Sequence, residues 1–206
     1  MKTELDRLEI DKLHVESEGT DLWIGLGANR KWLGGSGRNI PSFELFISPD
    51  WRRTEGKIEF DQPLYRYGNL MSGIKLEFKE GKVVKASAQY GEEVLKKMIA
   101  EENADKVGEY SLTDSRLSRI SRFMATTLFD ENFGGNYGNT HIALGNAYQD
   151  SYPGDSSKVT KEEWVAMGYN SSVVHTDMVS TKDRTVTAFL KDGSTKIIYQ
   201  NGQFLV

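Results

Sequence analysis

Apolar and polar residues alternate in the first part of the chain. Leu13 and Val15, then Leu22, Ile24 and Leu26, recur at every second position, the period of a half-buried strand. Glu18-Gly19-Thr20 between them has turn composition, so residues 1–30 are expected to be largely extended. Gly25-Leu26-Gly27 leads into a glycine-rich loop, Trp32-Leu33-Gly34-Gly35-Ser36-Gly37-Arg38-Asn39. Residues 43–47 form a short strand candidate stopped by Ser48-Pro49-Asp50. Three further strand-like runs cover 56–60, 72–78 and 82–88, the last two joined by a hairpin turn at Lys79-Glu80-Gly81.

The period then changes. Within 91–103, Val94, Leu95, Met98 and Ile99 fall at helical spacing, with Glu92 and Glu93 first and Lys96 and Lys97 later. That charge order suits a helix dipole. Asp114 is the expected N-cap of a second helix reaching about Leu128, with Leu117, Ile120, Met124 and Leu128 as its apolar stripe and Arg116, Arg119 and Arg122 elsewhere. A glycine-rich loop over 133–139 follows. Strands are expected around 141–144, 172–179, 185–190 and 195–199, with turn signals at Asp192-Gly193 and Asn201-Gly202. Strands, two helices, then strands predict an α+β fold. No repeat, low-complexity tract or linker divides the chain, so 1–206 is expected to be a single domain.

Composition narrows the chemistry. The 206 residues carry 26 basic and 30 acidic side chains, a net charge of −4, which is a poor match for a phosphate backbone. Nucleic acid is therefore not an expected partner. There is no cysteine, which excludes disulfides, thiolate metal sites and cysteine catalysis. A metal site must be built from carboxylate oxygen and the nitrogens of His14, His141 and His175. The N-terminal residues lack the pattern of a secretory signal, and no stretch approaches the roughly 20 apolar residues that span a bilayer. No membrane partner is expected, and a cytoplasmic location follows by default.

Among the candidate residues, Val173-Val174-His175-Thr176-Asp177-Met178-Val179 is the clearest local signal. On a strand, His175 and Asp177 share one face, where they can bind one metal ion or orient each other; the plainer alternative is a strand exposing two polar residues to water. His141 lies where the second glycine-rich loop enters a strand, with Tyr148 seven residues on. His14 has no acidic partner at an obvious spacing and is assigned a structural or solvent-exposed role. Glu44 sits in an aromatic run, opposite in face to Phe43 and Leu45, and is expected either to be partly buried or to face solvent. Glu109 is placed at a junction between the two helices. Asp130 and Glu131 sit at the end of the second helix, where acidic residues oppose the dipole, which favours a role in cation binding. Histidines and carboxylates without thiolates suit a two-metal hydrolytic site.

Five blocks together resemble the C-terminal region of the thermophilic metalloaminopeptidases, the group of aminopeptidase T, aminopeptidase S and PepS. They are Gly37-Arg38-Asn39-Ile40-Pro41-Ser42-Phe43-Glu44, Val107-Gly108-Glu109-Tyr110-Ser111-Leu112, Phe129-Asp130-Glu131-Asn132, Thr140-His141-Ile142-Ala143-Leu144-Gly145-Asn146-Ala147-Tyr148 and Val174-His175-Thr176-Asp177. The resemblance implies a mixed, strongly curved sheet with a few helices. It implies two divalent metal ions (zinc, cobalt or magnesium) held by Glu44, Glu109, His141, His175 and Asp177, with Glu109 bridging and Glu131 also in contact. Tyr148 takes the catalytic tyrosine role, donating to the developing oxyanion. The implied activity is removal of N-terminal residues from peptides with a free N-terminus by a homodimer. The stretch between Glu131 and His141 is glycine-rich and longer than the tighter spacing of some family members. The match covers only the family's metal-bearing C-terminal domain, and the N-terminal α/β domain is absent, so the chain is expected to be a fragment of a two-domain enzyme.

Two alternatives need no metal. Trp23, Trp32, Trp51 and Trp164, with the glycine-rich loops, could line a peptide- or carbohydrate-binding cleft. Glu44 and Glu109 could serve as the acid and base of a glycosidase, which leaves His175 and Asp177 unexplained.

Overall fold

The structure, a computed structural model, describes residues 1–37 and 39–206. Arg38, in the first glycine-rich loop and the first of the five blocks, lies outside the described residues. Helix α1 (Lys2–Arg7) opens the chain and is followed by β1 (Ile10–Ser17), β2 (Thr20–Gly25), β3 (Leu33–Gly34) and β4 (Glu44–Ile47). Next come β5 (Thr54–Phe60), β6 (Leu64–Arg66), β7 (Asn69–Met71), β8 (Ile74–Lys79) and β9 (Lys82–Ser87). Helix α2 (Glu92–Ile99) leads to β10 (Val107–Thr113), α3 (Thr127–Asp130), β11 (Asn139–Gly145) and α4 (Lys161–Ala166). The chain closes with β12 (His175–Ser180), β13 (Arg184–Leu190), β14 (Thr195–Gln200) and β15 (Gln203–Phe204).

The fold is α+β, as the pattern predicts. The strands form an eight-stranded sheet, a five-stranded sheet and the β6–β7 hairpin. The ladders are antiparallel. The five-stranded sheet runs β12-β11-β10-β4-β3. One of its faces carries Leu45, Ile47, Tyr110, Leu112, Ile142, Leu144 and Met178, all buried. That face joins Leu13, Val15, Ile24 and Ile58 of the larger sheet in one continuous apolar core. The other face, one residue out of phase, is where the polar side chains gather. This is why β10 and β11 are buried along their whole length although they carry Glu109, Ser111 and His141.

Three expectations fail for identifiable reasons. The chain does not start extended: Lys2–Arg7 is helical, with Lys2–Asp6 and Arg7–Glu4 ion pairs along it and Leu5 buried in the core. No helix runs from Asp114 to Leu128, because the hydrogen bonds it needs go elsewhere. The Asp114 carboxylate is fully buried and accepts from the Arg116 backbone N–H, the Arg116 guanidinium and the Phe204 N–H. A helix would join the Met124 N–H to the Ile120 carbonyl. Instead that carbonyl accepts from Gly134 and that N–H donates to Asp130. Leu117 and Met124 stay exposed, and only the single turn α3 remains. Finally, Glu109 is not at a helix junction but in the middle of a buried strand. The structure also contains α4, which carries a full capping box between Thr160 and Glu163.

Candidate metal centre

Strand pairing puts the candidate residues on one face. Glu109 pairs with Ala143, and Ala143 with Asp177. Ser111 pairs with His141, and His141 with Val179. Thr113 pairs with Glu44, and Gly145 with His175. Antiparallel partners project to the same side, so Glu44, Glu109, His141, His175 and Asp177 rise from four adjacent strands into one space. Ala143 and Ser111 lie among them, and their small side chains leave that space open. Gly145 has a positive φ of 104°, and a Cβ there would lie 2.0 Å from the Val174 carbonyl, so only glycine lets β11 and β12 meet beside His175.

The distances are short. His141 Nε2 lies 3.0 Å from Glu109 Oε1, 3.2 Å from Glu44 Oε2 and 3.8 Å from Asp177 Oδ1. His175 Nε2 lies 3.6 Å from Glu109 Oε2 and 3.6 Å from Asp177 Oδ1. The two oxygens of Glu109 therefore face different histidines. Glu44, Glu109 and His141 offer one set of ligand atoms within 4.8 Å of one another; Glu109, His175 and Asp177 offer a second. Glu131 belongs to neither set. Its carboxyl is close enough to interact electrostatically with Glu44, Asp177 and Glu109.

Outer contacts fix these groups. The His175 Nδ1 lies 2.8 Å from the Asn146 carbonyl, which makes Nδ1 the donor and leaves the Nε2 lone pair facing the carboxylates. Arg66 donates to the His175 carbonyl. Ser111 Oγ donates to Glu44 Oε2 at 3.1 Å. The Asn132 side chain accepts from the Phe43 and Glu44 N–H groups, pinning the start of β4. Ser111, Asn132 and Asn146 lie within the five blocks but were not singled out; Arg66 lies in none of them. Tyr148 is exposed, its N–H held by Ser48 Oγ. Its ring lies 4.8 Å from that of His175 and 5.6 Å from that of Phe46.

Glu44, Glu109 and Asp177 thus share a buried space in which, among the described residues, their ion-pair partners are histidines alone. Asp177 Oδ1 is buried without a hydrogen-bond partner. Burial, together with the neighbouring carboxylates, pushes Glu44 and Glu109 up to about 8 and Glu131 up to about 10. Burial and the same carboxylates also raise the Tyr148 phenol, so it remains a proton donor at neutral pH. An unbalanced set of hard oxygen donors with two imidazoles is what a divalent cation requires, so the residues fit such an ion.

This balance has a consequence for stability. Without a cation, the folded chain holds protons on these carboxyls at pH values where the unfolded chain has lost them. It binds more protons between the ordinary carboxylate range and about pH 8, so its stability falls as pH rises through that window. In the metal-stripped chain Tm is expected to drop from about pH 5 to about pH 8, and an added divalent cation to raise Tm more at the upper end. A Tm that climbs over that range in the stripped chain contradicts this.

Other candidates take different places. His14 is not without acidic partners: Nε2 lies 2.8 Å from Asp21, Nδ1 lies 3.5 Å from Glu16, and its ring stacks on Trp23. It lies on the larger sheet, away from the cluster. Asp130 accepts from the Met124 and Thr126 N–H groups. The four tryptophans do not gather into a cleft. Trp32 and Trp164 are buried, Trp23 stacks on His14, and Trp51 packs under Lys106. Glu44 and Glu109 both lie against the same imidazole nitrogen, which leaves no room for a sugar between an acid and a base.

Two packed sheets thus carry a buried histidine–carboxylate cluster whose residues could hold a metal ion. The chain belongs to the thermophilic metalloprotease family M29, whose model matches residues 1–204. It is 34% identical over 215 residues to aminopeptidase PepS of Streptococcus thermophilus, covering 98% of this chain and 51% of that protein. It is also 34% identical to aminopeptidase T of Thermus aquaticus, again covering 98% and 51%. The chain spans about half the length of the curated relatives it matches. Wild-type AmpT from Thermus thermophilus superposes with a TM-score of 0.86 at 30% identity, covering all of this chain and 52% of that one. A 2,5-dihydroxypyridine dioxygenase from Pseudomonas putida shares the fold, with a TM-score of 0.62 at 17% identity, covering all of this chain and 58% of that one.

Proposed function

We propose that the chain is the metal-bearing catalytic half of an aminopeptidase that removes the first residue from peptides with a free N-terminus. Glu44, Glu109 and His141 would hold one divalent cation, and Glu109, His175 and Asp177 a second, with Glu109 shared. Glu131 stands beside the pair as a further acidic contact. Two imidazoles among the donors suit zinc or cobalt better than magnesium. The observation that carries the proposal is Glu109, whose two oxygens face two different histidines. A cytoplasmic homodimer is the setting that the family resemblance suggests for it.

Divalent cations in such a site supply Lewis acidity that activates water and polarises a scissile carbonyl. The chain's own residues do the rest. Asn146 keeps His175 in one tautomer, and Ser111 keeps Glu44 turned inward. Tyr148, kept protonated by its surroundings, donates its phenolic hydrogen toward the oxygen on which negative charge develops. The burial of the cluster keeps bulk water away from these charges.

Chelation tests the proposal. Release of the N-terminal residue from a peptide is expected to stop when the chain is dialysed against chelator and to return when a divalent cation is restored. Release that continues unchanged in the stripped chain rules it out.

A further inference from the structure

Two cavities flank the cluster, at opposite ends of the β11–β12 ladder. The register runs from Gly145–His175 at one end to His141–Val179 toward the other. At the Val179 end a cavity of about 20 Å³ touches Asp177, Glu131 and Asp130, room for roughly one water molecule. At the His175 end a cavity of about 380 Å³ lies along residues 146–150, within the size range of ligand sites. Its wall includes Tyr148, whose ring also touches His175, so this cavity begins where the cluster ends. Trp164 and Tyr169, packed edge to face on each other and nearly buried, form its floor, and Asn146, Asp150 and Asn170 add polar groups to its wall. Gln149 and Ser171 stand exposed at the rim.

The two ends suit the two ends of a substrate. A free ammonium group is about the size of a water molecule and favours acidic surroundings, but no further residue fits beyond it. The rest of a peptide must leave past Tyr148. We propose that the cavity bounded by Tyr148, Trp164 and Tyr169 is the subsite for the residue that follows the scissile bond, and that it is large enough to take a bulky second side chain. This inference rests on the aminopeptidase reading above for its direction, while the cavity itself does not.

The test uses the metal-loaded chain and two substrates, leucinamide and the dipeptide Leu-Trp. Hydrolysis of the first releases leucine and ammonia, and its leaving group places nothing in the cavity; the second places an indole there. Ser171→Trp and Gln149→Trp each fill the cavity from its exposed rim, and neither residue is among those of the cluster. Either variant is expected to lower kcat/KM for Leu-Trp by at least about tenfold, the value of one buried apolar side chain, and to keep leucinamide within about twofold. Equal losses on both substrates, or no loss on Leu-Trp in either variant, overturn the proposal. A non-hydrolysable Leu-Trp analogue with a reduced peptide bond provides a binding readout by calorimetry. Its affinity is expected to fall about tenfold in Ser171→Trp while that of free leucine holds. If the chain shows no turnover but the analogue behaves this way, the subsite stands and the peptidase reading fails. Turnover with no dependence on the second residue gives the reverse. Absence of both turnover and analogue binding overturns both.

Discussion

Replacing His141 with alanine is expected to lower peptide hydrolysis by at least about a thousandfold, since losing even an outer-shell partner of a metal ligand costs about ten- to a hundredfold. His141 is fully buried and lies 3.0 Å from Glu109 and 3.2 Å from Glu44. Its removal deprives those carboxylates of their only nitrogen partner within the first ligand set. Cation content should fall with activity but not vanish, because Glu109, His175 and Asp177 remain. Elemental analysis of the purified variant checks this: about one cation per chain is expected where the parent binds two. Full cation occupancy in the variant, or activity near that of the parent, counts against the role given to His141. Thermal unfolding with excess cation separates loss of the site from loss of the fold.

Replacing Tyr148 with phenylalanine removes one oxygen and keeps the ring that packs on His175 and Phe46. The fold and the cation content should be unchanged. The kcat is expected to fall about a hundred- to a thousandfold, the usual cost of losing one oxyanion donor, with KM little altered. The phenol is raised above its ordinary value by burial and the nearby carboxylates, so the parent should show no loss of rate from tyrosine ionisation near neutral pH. A variant whose kcat matches the parent while KM rises would place Tyr148 in substrate binding instead.

Much of the fold was legible in the sequence, for physical reasons. The β8–β9 hairpin was readable because Glu80 and Gly81 both take positive φ, as their turn composition implies. Helix α2 was readable because its apolar stripe and charge order agree. The false helix over 114–128 shows the limit. Its stripe is a true period, but Asp130 takes the Met124 and Thr126 N–H groups that a helix needs, and a period cannot report such competition. Strand β10 alternates Glu109, Ser111 and Thr113 with Tyr110 and Leu112, but both of its faces are buried, so the polar positions do not mark a solvent-facing side. Helix α4 carried a readable signal in Thr160 and Glu163 that was passed over.

The site was legible in part. His175 and Asp177 could be paired from strand period alone. Bringing Glu44, Glu109 and His141 beside them required the order β12-β11-β10-β4, which no local pattern encodes; the five-block resemblance supplied it. The carbonyl of Asn146 and the hydroxyl of Ser111, which orient His175 and Glu44, are contacts of the folded chain only.

The shared position of Glu109 is the centre of the account. Equilibrium dialysis with a divalent cation, followed by elemental analysis of the parent chain and of Glu109→Gln, tests it most directly. Two cations per parent chain, and loss of both in the variant under the same conditions, is the predicted result. A single cation in the parent, or two retained in Glu109→Gln, would contradict it.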